Sequence, residues 1–187
     1  TYQLNTFYSR PSVDIELQST QLRDALHWQP DYLIFTLDAT RHQAMIERIL
    51  LKGKPRLILQ NITTPLSRWQ SLRPFLYTGF DHETGTLKLA NAMSAHSPEG
   101  KYAMLYFSPG YVSKMRGNTF ATHMEKVSSQ EKVKSFYTQG DKDLAYRATL
   151  KTLAEHDALN MVFACSTDIA LGAAQALREK GKHQQVL

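Results

Sequence analysis

The chain has 187 residues, 42% hydrophobic and 21% charged residues, and a formal net charge of +5. This composition is that of a globular protein and excludes disordered, collagen-like and low-complexity chains, while no apolar run approaches the roughly 20 residues of a membrane-spanning helix. The single cysteine, Cys165, excludes an internal disulfide framework and a multi-cysteine zinc site, and the basic residues form no cluster of the kind that binds nucleic acid.

Short apolar runs alternate with amphipathic helical runs along the chain. The predicted strands are 2–8, 32–37, 56–60, 75–79, 102–107, 134–137 and 161–165. The runs 32–35, 57–59 and 161–165 are continuously apolar, which predicts strands buried on both faces. Helices are predicted over 40–51, 141–156 and 168–180, and another from near Ser113 to residue 127. This alternation predicts an α/β fold with parallel sheets and helices on both faces.

Helical periodicity also predicts core positions and helix starts. The core-facing residues are predicted to be Ala44, Met45 and Ile49, with Ile46 as a further candidate, then Leu144, Ala148 and 150–153, then Ile169, Leu171, Ala173, Ala176 and Leu177. The predicted N-caps are Asp81, Asp141 and either Thr167 or Asp168.

The two ends and one long loop bear on domain organisation. The chain opens in the predicted strand 2–8 and closes on Gln185-Val186-Leu187, which is typical of a strand beginning, so we expect a segment from the middle of a longer protein. The longest irregular stretch, 61–74, joins two predicted strands, and such a loop is often functional. The turn at 79–85 is the predicted boundary between a first lobe, residues 1–80, and a second, residues 81–187.

Polar residues at the carboxyl ends of the predicted strands are the candidate ligand contacts, because α/β sheets bind ligands at that edge. They are Thr36, Asp38, Asn61, Ser108, Thr138, Gln139, Ser166, Thr167 and Asp168. Asn61 can donate and accept hydrogen bonds, as recognition of a polyol requires, or it can open an Asx turn. The hydroxyls of Ser166 and Thr167 fit either a ligand contact or a helix cap.

Arg116 stands in the first turns of a predicted helix, where the macrodipole disfavours cations. A cation that breaks this local rule suggests a negative or electron-rich partner. A solvated surface arginine is the alternative, and spacing alone leaves both open.

The sequence offers little for catalysis. The seven histidines show no i, i+4 pair or HExxH pattern, so no metal site is predicted, and 41–42 and 81–82 are predicted to be exposed helix starts. There is no GxGxxG, P-loop or GxSxG motif. Cys165 ends an apolar strand and is predicted to be a buried, inert thiol. The prediction is a binding protein without a cofactor, not an enzyme.

Six stretches carry a family resemblance: DYLIFTLD at 31–38, LILQNITTP at 57–65, PFLYTGFDH at 74–82, LYFSPGY at 105–111, RGNTF at 116–120 and ACSTDIALGA at 164–173. They resemble the LuxP-type receptors for the quorum-sensing signal autoinducer-2, in the type I periplasmic binding protein (ribose-binding-like) superfamily. The resemblance covers essentially the whole chain.

The resemblance implies two Rossmann-like lobes that close on a ligand, in the periplasm. In the family, autoinducer-2 is held as a furanosyl borate diester, and the matching contacts here are Asn61 in the first lobe and Arg116 and Thr167 in the second. Arg116 would face the borate anion. The implied partners are this carbohydrate-like ligand and a membrane sensor kinase of the LuxQ type, and further site residues are expected outside these 187 residues.

Three alternatives remain at this stage. A sugar-binding component of an ABC importer would have the same fold and a neutral ligand, although Ser166-Thr167 stands where sugar binders usually place Asn-Asp. The effector domain of a LacI-type repressor would require a helix-turn-helix before Thr1. An α/β enzyme is disfavoured by the missing motifs.

Overall fold

The computed structural model describes residues 1–11, 13–60 and 74–187. The chain divides into two compact units: unit 1 comprises Thr1–Asp81 and Gly110–Val112, and unit 2 comprises His82–Pro109 and Ser113–Leu187. Each unit contains a three-stranded sheet whose strands all pair in parallel. The predicted α/β class with parallel sheets is therefore confirmed.

The residues that the structure describes in unit 1 form two helices, a 3-10 turn and one small sheet. Its elements are α1 (Ile15–His27), β1 (Tyr32–Thr36), a 3-10 turn (Thr40–His42), α2 (Gln43–Lys52), β2 (Arg56–Gln60) and β3 (Leu76–Thr78). The sheet order is β1-β2-β3, with Leu33 paired with Leu57 and Ile58 with Leu76. Helix α1 was not predicted, because two of its four buried positions are the polar residues Gln18 and Ser19.

The core of unit 1 lies on one face of its sheet. Leucines of β1 and β2 pack there with Leu22 of α1 and with Ile46, Ile49 and Leu50 of α2. Tyr32 and Ile34 are 57% and 55% exposed, so the prediction that β1 is buried on both faces is wrong. The predicted strand 2–8 is also wrong, since this segment forms no strand and is exposed. Ala44, predicted to face the core, is exposed.

Unit 2 follows the strand–helix alternation closely. Its elements are α3 (His82–His96), β4 (Glu99–Tyr106), α4 (Tyr111–Val127), β5 (Ser129–Tyr137), α5 (Lys142–Glu155), β6 (Leu159–Ala164) and α6 (Thr167–Glu179). The sheet order is β5-β4-β6. The backbone of Leu187 bonds Asn160 and Val162 on β6, at 3.0 and 2.9 Å.

Helices cover both faces of the sheet in unit 2. On one face, α3 and α4 pack against Tyr102, Met104 and Phe163, with Phe120 stacked on Phe163 at a centroid distance of 4.1 Å. On the other face, α5 and α6 pack against Leu105. Because β4 is central, four consecutive residues, 102–105, are buried. This burial on both faces explains why the apolar run was visible in the sequence.

Small residues, not leucines, form the contact between α5 and α6. Ala145, Ala173 and Gly172 are buried there, whereas Leu144 and Leu171 are 39% and 49% exposed, which corrects the predicted inward faces. A Cβ added at Gly172 would lie 2.2 Å from the carbonyl oxygen of Lys142. The two helices therefore approach so closely that leucine side chains have no room between them.

Helix starts in unit 2 fit the predictions in part. The Asp141 carboxylate accepts a hydrogen bond from the Leu144 N–H at 2.8 Å, as an N-cap should. Helix α6 is preceded by Ser166 at the N-cap position, so neither Thr167 nor Asp168 is the cap. Asp81 directly precedes α3.

Candidate functional site

The carboxyl ends of β4, β5 and β6 lie at one edge of the parallel sheet in unit 2. Polar residues follow each strand, and two of them, Ser108 and Thr138, are 0% and 1% exposed. The Thr138 hydroxyl and N–H both donate to the carbonyl oxygen of Tyr106, at 2.9 Å each. Thr138 therefore ties the end of β5 to the end of β4, and this part of the edge is a rigid support.

Arg116 reaches this edge from α4. Its Nη1 donates to the carbonyl oxygen of Cys165, just after β6, at 2.6 Å, and its Nε donates to Nδ1 of His82, the first residue of α3, at 3.2 Å. The side chain is half-buried, and no carboxylate of the described residues lies within ion-pair distance of it. Within the described residues, no carboxylate therefore compensates the charge of this guanidinium.

The two hydrogen bonds to His82 and Cys165 engage only part of the N–H donors of the guanidinium. A guanidinium carries five N–H donors, and two are occupied, so three donate to none of the residues that the structure describes. Helix α4 begins at Tyr111, earlier than predicted, which places Arg116 in its second turn and weakens the helix-dipole argument. The unused donors, and not the helix position, make Arg116 a candidate ligand contact.

The start of α6 lies next to the Arg116 anchor. Cys165 is followed by Ser166 at the N-cap and by the exposed Thr167 as the first helical residue. The Ser166 side chain does not cap the helix, and its buried Oγ has no hydrogen-bond partner among the described residues. The first N–H groups of α6 and the exposed Thr167 therefore lie within two residues of the carbonyl that Arg116 binds.

Asn61 belongs to the residues outside the described ranges. The expectation that Asn61, Arg116 and Thr167 line one cleft therefore stays a prediction. Within unit 2, the structure links Arg116 to the strand end that carries Thr167.

Cys165 is 4% exposed, which confirms its predicted burial. Its Sγ lies 3.8 Å from the Ser113 carbonyl oxygen. Burial raises the pKa of the thiol to about 11, although the hydrogen bond to Ser113 and the positive charge of Arg116 oppose the rise. Because the reactive form is the thiolate, the environment disfavours nucleophilic chemistry at this sulfur.

Two histidines were placed wrongly by sequence. His42 and His82, predicted at exposed helix starts, are 1% and 4% exposed. The sequence did carry a usable pattern for His82: with Thr86 and Ala90 it forms an i, i+4, i+8 series, and all three are buried on one side of α3. Reading α3 from residue 82 would have assigned His82 to the inner face.

The chemistry available at this edge is that of hydrogen bonding to an oxygen-rich ligand. A cationic guanidinium, hydroxyls and helix N–H groups all favour oxygen acceptors, and anionic ones most. Over the described ranges, no three His, Cys, Asp or Glu side chains are grouped so that they could hold a metal ion.

A model of the periplasmic binding protein domain matches residues 2–187 of the chain. The chain belongs to the periplasmic binding protein domain family. Among the helices that the structure describes, none combines the length and the apolar composition needed to cross a membrane.

Solved structures share the fold of this periplasmic binding protein domain. A solute-binding protein of an ABC transporter from Agrobacterium vitis, with bound D-fucose, matches with a TM-score of 0.84 and 19% identity over 95% of this chain and 61% of its own. The glucose-galactose binding protein GanP from Geobacillus stearothermophilus matches with a TM-score of 0.81 and 16% identity, over 92% and 61%.

A third similar structure is the fructose-binding periplasmic domain of a hybrid two-component system, with a TM-score of 0.79 and 18% identity, over 93% of this chain and 57% of its own. The chain therefore spans about three fifths of the length of these proteins. At these identities the likeness establishes the type I periplasmic binding protein fold, of which the 187 residues form a part.

Proposed function

We propose that the protein containing this chain is a periplasmic receptor of the LuxP type for autoinducer-2, bound as its furanosyl borate diester. Occupancy of the receptor would be passed to a membrane sensor kinase of the LuxQ type. Residues 1–80 and 81–187 would be parts of its first and second lobes, and Asn61, Arg116 and Thr167 would contact the ligand. No cofactor or catalytic step is needed, since binding requires only complementary hydrogen bonds.

One observation carries the proposal. Arg116 is held at the sheet edge by two acceptors, Nδ1 of the His82 ring and the Cys165 carbonyl oxygen, and no described carboxylate lies within ion-pair distance of it. A half-buried cation has lost part of its hydration, and an anion that binds beside it compensates for that loss. A borate diester is such an anion, and it presents the oxygen acceptors that the unused guanidinium donors require.

The fold family supports a receptor role in a more general way. One structure with this fold is a domain of a hybrid two-component system, so the fold is used in signal transduction as well as in transport. The similar sequences at 57–65, 116–120 and 164–173 give the finer assignment to autoinducer-2.

A sugar-binding component of an ABC importer is the second candidate. It is favoured by the D-fucose-bound transporter protein, whose fold matches 95% of this chain. A neutral sugar would also use the hydroxyls and the guanidinium donors, but it would not form an ion pair with the guanidinium.

Calorimetry on the complete protein separates the two candidates. Arg116→Ala should weaken autoinducer-2 binding about 10- to 150-fold, because hydrogen bonds to charged groups contribute about 1.5–3 kcal/mol. Asn61→Ala should weaken it about 2- to 13-fold, as a neutral bond contributes about 0.5–1.5 kcal/mol. Added borate should tighten binding to the wild type, and most of that gain should vanish in Arg116→Ala.

Lys114→Ala is the matched control, because it removes an exposed cation from the same helix two residues away. It should leave both the affinity and the borate effect unchanged. Equal losses for Arg116→Ala and Asn61→Ala without any borate effect, together with binding of D-fucose or D-galactose, would replace the receptor proposal with the importer.

A further inference from the structure

We infer that His82 is a positioning residue that aims the Arg116 guanidinium at the ligand and leaves its charge uncompensated. This inference rests on the proposed function, since it assumes that Arg116 contacts the bound molecule. Neither the composition nor the motifs assign His82 a role, and its ring is 4% exposed.

The hydrogen bond between Arg116 and His82 defines which ring nitrogen of His82 carries the proton. Arginine only donates, so Nδ1 of His82 must accept the bond from Nε with its lone pair. The ring proton therefore resides on Nε2, and the imidazole is neutral. A protonated ring would present an N–H to the N–H of Arg116 and would place two positive charges in contact.

The two anchors stand on different elements. His82 begins α3 and holds Nε, while the carbonyl oxygen of Cys165 follows β6 and holds Nη1. Because the guanidinium is planar, two hydrogen bonds at two of its nitrogens define both its plane and its rotation. The three remaining N–H groups then have fixed directions before any ligand arrives, which lowers the ordering cost of binding.

Uncharged anchors suit an anionic ligand. A carboxylate in place of His82 would also accept from Nε, but it would form an ion pair and cancel most of the field that an anion experiences. A neutral imidazole orients the guanidinium without doing so. His82 thereby selects for the charge of the ligand as well as for its position.

Three substitutions at residue 82 separate these effects. His82→Asn places the amide Oδ1 where Nδ1 stands, so it keeps a neutral acceptor, and His82→Leu fills similar volume without one. His82→Asp has the shape of asparagine but carries a negative charge. In the complete protein with autoinducer-2 and borate, we expect wild-type affinity within about twofold for His82→Asn, and a loss of about tenfold for His82→Leu. His82→Asp should lose most of the borate-dependent gain that His82→Asn keeps.

A measurement without ligand tests the anchoring directly. In protein labelled with ¹⁵N at arginine and histidine, the Nε–H resonance of Arg116, assigned by its absence in Arg116→Lys, should be protected from solvent exchange. Protection should persist in His82→Asn and disappear in His82→Leu. The Nδ1 resonance of His82 should fall in the range of an unprotonated imidazole nitrogen.

The outcomes distinguish this inference from the proposed function. If autoinducer-2 binds and all three variants match the wild type, the positioning role is overturned while the receptor proposal stands. If the wild type binds D-galactose or D-fucose and not autoinducer-2, the receptor proposal fails, and the comparison of His82→Asn with His82→Leu on that sugar decides the positioning role. An unprotected Arg116 Nε–H in the wild type overturns the inference in either case.

Discussion

The contact between α5 and α6 gives a sharp test of the packing, through the substitution Gly172→Ala. The added Cβ would lie 2.2 Å from the carbonyl oxygen of Lys142 and 3.0 Å from the Cβ of Ala145. The first of these is a backbone atom, which cannot turn aside as a side chain can, so α6 must move away from α5. Since α6 begins at Thr167, this movement would reach the candidate ligand site as well.

The magnitude follows from two opposing effects. Overpacking a well-filled interior costs roughly 1–3 kcal/mol, and a backbone clash lies at the upper end of that range. Alanine gains about 0.5–1 kcal/mol over glycine in a helix interior. We therefore expect a net loss of about 2 kcal/mol, which for a domain of 150–250 residues lowers Tm by about 4–8 °C.

Gly85→Ala is the matched control for this change. Gly85 is also in a helix, and a Cβ there would meet nothing within 4 Å. The same chemical substitution should therefore stabilise the protein by about 0.5–1 kcal/mol. Urea and thermal unfolding, followed by circular dichroism, measure both variants. Equal stability of the two variants, or a gain for Gly172→Ala, would refute the close approach of α5 and α6.

Two further predictions concern buried titratable groups. Burial lowers the pKa of the His42 imidazole, against the raising effect of its bond to the Ile15 carbonyl, so the folded protein binds fewer protons than the unfolded chain. The contribution of neutral His42 to the free energy of unfolding should be fully present above a pH of about 6.5. Below that pH, the free energy of unfolding should fall by at most about 1.4 kcal/mol per pH unit. In urea titrations at several pH values, His42→Gln should remove this fall and the surface variant His96→Gln should retain it; an unchanged fall in His42→Gln would contradict the reasoning. For Cys165, whose thiol pKa is raised to about 11, only about one molecule in a thousand is thiolate at pH 8. A thiol reagent should therefore modify Cys165 slowly in the native protein and rapidly in urea. Fast modification of the native protein would contradict the prediction that this thiol is inert.

The central strand of unit 2 was predictable because both faces of its sheet are covered. Burial on both faces selects consecutive apolar residues, and the run at 102–105 is such a case. Unit 1 was less predictable, since β1 has one exposed face despite its apolar sequence. Helix α1 escaped detection because its buried Ser19 bonds His42, a polar contact that hydrophobic periodicity does not register.

Arg116 could be singled out from the sequence, but the reason for its importance could not. In the sequence, Arg116 stands out as a cation in the first turns of a predicted helix, whereas the structure moves the helix start to Tyr111. What distinguishes Arg116 is its pair of anchors, His82 and Cys165, which lie 34 and 49 residues away along the chain. Sequence periodicity and spacing reveal only contacts between residues that lie a few helical turns apart. The contacts of Arg116 with His82 and Cys165 depend instead on how α3, α4 and β6 pack together. Neither anchor is a carboxylate, so the packing that buries the histidine does not pair the arginine with a negative charge, and this is the physical basis for expecting an anionic ligand.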